Sequence, residues 1–264
     1  MCAMASPSTE WTPSPLRDWC TGVDRAIQAG EYTQAIRLLR VVLARLPRHL
    51  PSYERLLHLI WWLKRWDEGV DWSRRLLRAD PHHELPWVVW ARSLEHAGEP
   101  ERARRIWQRA LEYAPYSRVV REGVLRTHVG VSSNSLTLTR AALATLYRHG
   151  QRWAQAAALY RGLVQAFPAR LDLRCALLEA LWRGERRAEA LETARALSRS
   201  HPDLYLPWLV MDRLGDPDDR ALARAPLAAL DVDREYARAR FEELVPRPTH
   251  AIAVAPEEQA LLAP

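Results

Sequence analysis

Prolines at 47, 81, 115, 168 and 202 constrain this chain more than any other feature. Three of the four intervals between them are 34 residues, and the fourth, from Pro115 to Pro168, is 53, one period plus 19. Proline breaks a helix from within, so a regular series of prolines marks the ends of a repeated helical unit. The residues around them repeat as well. Twelve before each proline stand Ala35, Gly69, Ala103, Ala156 and Ala190, all small. Five before stand Val42, Leu76, Ala110, Leu163 and Leu197, and 24 before stand Val23, Leu57, Ala91, Ala144 and Leu178, all apolar. Glycine falls 17 or 18 before the proline in four units (Gly30, Gly98, Gly150, Gly184), with Lys64 in that place in the second. Glycine there suits a left-handed helix C-cap. Each unit therefore reads as helix, glycine turn, helix, proline stop. A fixed period in this range indicates stacked helical repeats.

These residues resemble the tetratricopeptide repeat, whose 34-residue pattern opens on an aromatic and closes on proline. The opening aromatic is present as Trp19, Tyr53 and Trp87, and is replaced by Arg140 and Arg174 in the later units. The segments GEYTQA (30–35) and HGQRWAQA (149–156) are especially similar to the family, and the resemblance spans residues 16–204. It implies an all-α fold: a right-handed α-solenoid of antiparallel helix hairpins, with about five repeats plus C-terminal capping helices. The third unit also resembles the half-a-tetratricopeptide variety through Trp87, Trp90, Glu95, Ala103, Arg104, Arg109, Ala110 and Leu111, a pattern that the other units do not keep.

The prolines also divide the chain. Residues 1–15, rich in proline and hydroxyl side chains, read as a disordered N-terminal segment. Repeats one to three occupy 16–117. The 19 extra residues place an orphan helix and loop at 118–136, and repeats four and five follow at 137–204. A sixth unit starts at Tyr205 with Trp208 in the aromatic slot, but GDPDD reads as a stop. Residues 205–245 are then expected to be capping helices, as an open repeat stack requires. The stretch 246–264 reads as a flexible, proline-containing tail.

Composition narrows the chemistry. The 38 basic and 32 acidic side chains alternate along the helices rather than forming the concentrated basic stripe of a nucleic-acid binder. Three widely spaced cysteines, with no CxxC, suit neither a disulfide framework nor a zinc site and fit a reducing compartment. The start of the chain lacks the features of a secretory signal. The most apolar stretch, Leu56 to Leu63, is too short to span a membrane. The expected location is the cytoplasm of a bacterial cell. A phosphate-binding loop, a dinucleotide fingerprint, a GxSxG elbow and an HExxH helix are all missing. No enzyme activity, cofactor or metal is expected.

What remains is a groove. The resemblance implies that the first helices of the hairpins line a concave channel that takes a partner peptide or helix. Carried onto this chain, its lining is Asp24, Ile27, His58, Trp61, Arg92, Glu95, Arg148, Glu179 and Trp182. Tryptophan and arginine suit a protein interface. A groove that clamps a peptide carboxylate with lysine and asparagine is excluded, since Lys64 and Asn134 are the only residues of their kinds. The expected function is a non-enzymatic interaction scaffold for a protein or peptide. An RNA-associated scaffold and a regulatory module acting with a transcription or signalling partner stand as alternatives.

Overall fold

The structure, a computed structural model, describes residues 11–127, 138–243 and 248–262. They form fifteen α-helices and one two-stranded sheet. The chain separates into two compact units, one of residues 1–59 with 228–264 and the other of residues 60–227.

The helices fall where the proline period puts them: α1 Leu16–Gln28, α2 Tyr32–Arg45, α3 Leu50–Leu63, α4 Trp66–Ala79, α5 Glu84–His96 and α6 Pro100–Tyr113. After the interruption come α8 Arg140–His149, α9 Trp153–Ala166, α10 Leu171–Arg183 and α11 Arg187–Ser200. The small residues are small for a steric reason. Ala35, Ala103, Ala156 and Ala190 are fully buried, and a Cβ on Gly69 would stand 2.1 Å from Ser93 Oγ and 2.9 Å from Val89.

The opening aromatic does more than fill space. Trp87 Nε1 donates to the Pro81 carbonyl at 3.2 Å, Trp208 Nε1 to Pro202 at 2.9 Å, and the Tyr53 hydroxyl to Pro47. The aromatic six residues after a proline thus ties the next first helix to the end of the preceding hairpin.

The hairpin turn corrects the glycine reading. The residue 17 before each proline is left-handed in all five units: Gly30, Lys64, Gly98, Gln151 and Glu185 have φ of 77°, 53°, 74°, 56° and 60°. Gly150 and Gly184 sit one place earlier, with ordinary negative φ of −80° and −83°. Each turn closes on the same six-residue backbone bond, such as Glu31 N to the Ala26 carbonyl at 2.8 Å and Arg186 N to Leu181 at 2.9 Å.

Two segments depart from the expected layout. Helix α7, Arg118–Thr127, begins three residues after Pro115, just as α3, α5 and α10 begin three after their prolines. It is an in-phase first helix, pressed so closely on α6 that a Cβ on Gly123 would lie 2.4 Å from the Trp107 ring. The rest of the expected loop, 128–136, lies outside the described residues. The sixth unit does not stop at GDPDD. That segment starts a helix, α13, Pro217–Leu230, which follows α12, Tyr205–Leu214, and has the 14-residue length of α11. Asp216 Oδ1 accepts from Asp219 N at 2.9 Å, and Asp219 Oδ2 accepts from Asp216 N at 3.3 Å, a reciprocal cap with proline at the first helical position.

The first unit holds both ends of the described chain. After α14, Glu235–Phe241, strand β2 (Ala251–Val254) pairs antiparallel with β1 (Thr12–Pro15). The expectations of a disordered 11–15 and a flexible 248–262 are therefore corrected; residues 1–10 lie outside the described residues. The physical reason is a period-two alternation that buries Ile252 and Val254. Leu16 N donates to His250 O at 2.8 Å, which by alternation turns Thr12 and Ser14 toward β2 and Pro13 and Pro15 outward. The outer edge of β1 consequently has no N–H to offer, and Arg45 Nε takes the outward Ala253 carbonyl at 3.0 Å.

Lysine at a left-handed position carries strain that glycine avoids. Lys64→Gly is expected to raise stability by about 0.5–1 kcal/mol, measured by denaturant unfolding. Tyr53→Phe should lower it by about 1 kcal/mol through the lost bond to Pro47.

Candidate functional site

The nine expected groove residues divide between the units. Asp24, Ile27 and His58 belong to the first, and Trp61, Arg92, Glu95, Arg148, Glu179 and Trp182 to the second.

Their charges meet one another rather than solvent. Arg148 Nη1 donates to Glu179 Oε2 at 2.8 Å, with side chains only 10% and 9% exposed. Glu95 accepts from Arg92 at 2.9 Å, from Arg126 at 2.9 Å and from Trp107 Nε1 at 2.8 Å. Asp24 is held by Arg55, with its Nε at 2.7 Å and Nη2 at 2.9 Å. Asp24 with Arg55, Glu95 with Arg126 and Arg148 with Glu179 are each 31 residues apart, one period less one helical turn. The ion pairs therefore bind successive first helices. Opposite charges at that spacing were readable in the sequence and form a signal that inspection of single positions missed.

Arg148 and Glu179 are corrected from open lining to buried structure, because the interruption seats α8 directly on α6. Thr145 Oγ1 donates to the Glu112 backbone carbonyl at 2.7 Å and shares a 3.0 Å bond with the Tyr160 hydroxyl. Arg170 spans Glu112 at 2.7 Å and Asp172 at 2.6 Å. Glu112, Arg170 and Asp172 were not foreseen, since the extra helix breaks the register that would relate them. Trp61 is half-buried, edge-on to Trp66 with centroids 5.6 Å apart. The Trp182 ring is half-buried beneath the Arg183 guanidinium, 4.4 Å from its centroid. His58 is exposed and Ile27 half-buried.

The first unit also contains a cleft of about 300 Å³ lined by Cys20, Asp24, Arg55, Asp233, Glu235 and His250, among others. Ligand atoms of Cys20, Asp233 and Glu235 lie within 4.8 Å of one another. The donor set does not suit a cation. Arg55 already places its guanidinium on Glu235 at 2.6 Å, and burial pushes the Cys20 thiol up to about 12, so it stays protonated at neutral pH. Burial likewise raises the Cys175 thiol far above its ordinary value, and neighbouring Asp80 and Asp172 push it further.

Arg148→Ala leaves Glu179 as a buried, unpaired charge and is expected to lower folding stability by about 3 kcal/mol, read from the denaturant midpoint. Unchanged stability would return the pair to the surface. Cys20 in the folded chain should resist iodoacetamide at pH 8, reacting only once denaturant unfolds the first unit.

Residues 88–201, from within α5 to just beyond α11, match the family model described as the bacterial transcriptional activator domain. No curated protein matches the chain. Among solved structures it is similar to YrrB, described as a TPR protein with an unusual peptide-binding site, at 16% identity over 72% of this chain and 88% of that one, with a TM-score of 0.35. It is also similar to Naa15/Naa10 bound to HypK-THB at 14% identity, over 86% of this chain and 42% of that one, with a TM-score of 0.32. A third similarity is to the flexible tandem repeat domain of bacterial cellulose synthase, at 20% identity over 73% and 89%, with a TM-score of 0.31. The chain is thus an all-α protein of tetratricopeptide-like helix hairpins, of which the stretch 88–201 is similar to the bacterial transcriptional activator domain.

Proposed function

We propose that this chain is a non-enzymatic protein-interaction module of a bacterial transcriptional regulator, acting in the cytoplasm by binding a protein partner. The observation that carries this reading is the match of 88–201 to the bacterial transcriptional activator domain, which includes the in-phase helix α7 and the buried Arg148–Glu179 pair. Two further features support it. The cysteines are held as protonated thiols and the one acidic cleft described is neutralised by arginine, so neither offers a nucleophile or a metal site. Arginine side chains are largely committed to intramolecular carboxylates, which leaves few to release counterions from a phosphate backbone.

In this reading contact with DNA is indirect. Among the nine groove positions, His58, Trp61 and Trp182 remain the side chains proposed to meet the partner. No helix of the described residues is long and apolar enough to cross a membrane.

The test joins two measurements. In cells, formaldehyde crosslinking should recover the chain on specific DNA through a co-captured DNA-binding protein. The purified chain should show no salt-dependent retention on DNA or RNA at low salt. Direct binding by the purified chain would replace the proposal with the nucleic-acid alternative, and failure to recover any DNA in cells would remove the regulatory role. Trp61→Ala should reduce capture of the partner at least roughly tenfold, the equivalent of about 1.4 kcal/mol.

A further inference from the structure

The second helix of a hairpin turns one side to solvent, and on four of the five regular hairpins that side is charged. Arg37 and Arg40 stand exposed on α2, Asp71 and Arg74 on α4, Glu101 and Arg105 on α6, Arg187 and Glu192 on α11. Helix α9 differs. Its exposed residues are Ala154, Gln155, Ala158, Gly162, Gln165 and Ala166, without a charge among them. The single charged side chain within the helix, Arg161, is drawn aside to Glu189 at 2.9 Å. Phe167, the residue that ends the helix, is 53% exposed. In a chain with 27% charged residues, a neutral face ending in an exposed phenylalanine is an unpartnered surface.

The order of residues on this face identifies its occupant. It is symmetric about residue 160: Ala154 mirrors Ala166, Gln155 mirrors Gln165 and Ala158 mirrors Gly162. We propose that α9 is the contact helix of a two-fold homodimer, packed antiparallel on α9 of a second copy of this chain. A two-fold interface needs a self-complementary patch, and a palindromic helix face supplies one. Small side chains four residues apart leave a shallow row along which two helix axes approach closely. Gly162 has open space where a Cβ would be. Gln155 of one copy meets Gln165 of the other, and two amides satisfy each other's donors and acceptors.

Charge is complementary at the ends. Arg152, exposed at the start of α9, comes beside the last turn of the second copy's α9, where helix carbonyls concentrate negative potential. A foreign partner would have no need of this symmetry. One helix pair with a phenylalanine at each end is a small interface, so a dissociation constant in the micromolar range is expected.

Sedimentation of the full chain across a concentration series tests the proposal. At tens of micromolar the wild type should approach twice the 30.4 kDa of one chain. Gly162→Glu places a charge at the crossing and improves helix propensity. It should weaken association by roughly tenfold or more, about 1.4 kcal/mol, while the melting temperature holds or rises. In a Cys2→Ser background, Ala154→Cys mixed with Ala166→Cys should form a disulfide-linked dimer that Ala154→Cys alone does not. A monomeric wild type at every concentration overturns the proposal. So does a dimer indifferent to Gly162→Glu, or crosslinking by Ala154→Cys alone as readily as by the mixture.

Discussion

The architecture depends on one backbone event repeated five times: a residue forced into the left-handed region 17 before each proline. That conformation lets the chain reverse within a few residues and close a six-residue hydrogen bond. Because the reversal occurs at the same count in every unit, the small side chain five places on always meets the first helix at its closest approach. The protein accepts lysine, glutamine and glutamate in this strained position at three of the five turns. Tertiary packing of the hairpin, rather than glycine, holds the geometry there.

Much of this was legible in the sequence because a period of helix breakers is a covalent fact that packing cannot override. The buried alanines and the tie from aromatic to proline follow from the same count. Three features were not legible in that way. Gly150 and Gly184 look like left-handed caps, yet the cap is the following residue. The segment GDPDD looks like a terminator, yet Asp216 and Asp219 cap each other and start a helix. Val254 and Ile252 lie in a stretch of tail-like composition, and their alternation acquires meaning only through β1, near the opposite end of the chain. Local signals fail here when the partner that interprets them is remote or when a residue type serves two opposite purposes.

The groove shows the same limit in electrostatic form. Identifying positions on first helices was sound, but a position does not reveal whether its charge is free. Arg148 and Glu179 are one period less one turn apart, and burial commits each to the other. Such pairs are weak evidence for net stability, since desolvation offsets their attraction. Their stronger effect is on register: a first helix displaced by one turn would strand a buried charge. The ladder therefore specifies how successive repeats stack, and it does so at the cost of polar groups that a peptide ligand could have used.

The pairing of Thr12–Pro15 with Ala251–Val254 has a consequence for how the molecule can be cut and rejoined. Residue 12 lies opposite residue 254, so a short linker across that gap would create no new neighbour. The chain could then be opened at a surface hairpin turn, with every helix keeping its contacts inside its own unit. A fold whose order of synthesis can be rearranged in this way owes its shape to contacts between segments, not to the sequence in which they leave the ribosome.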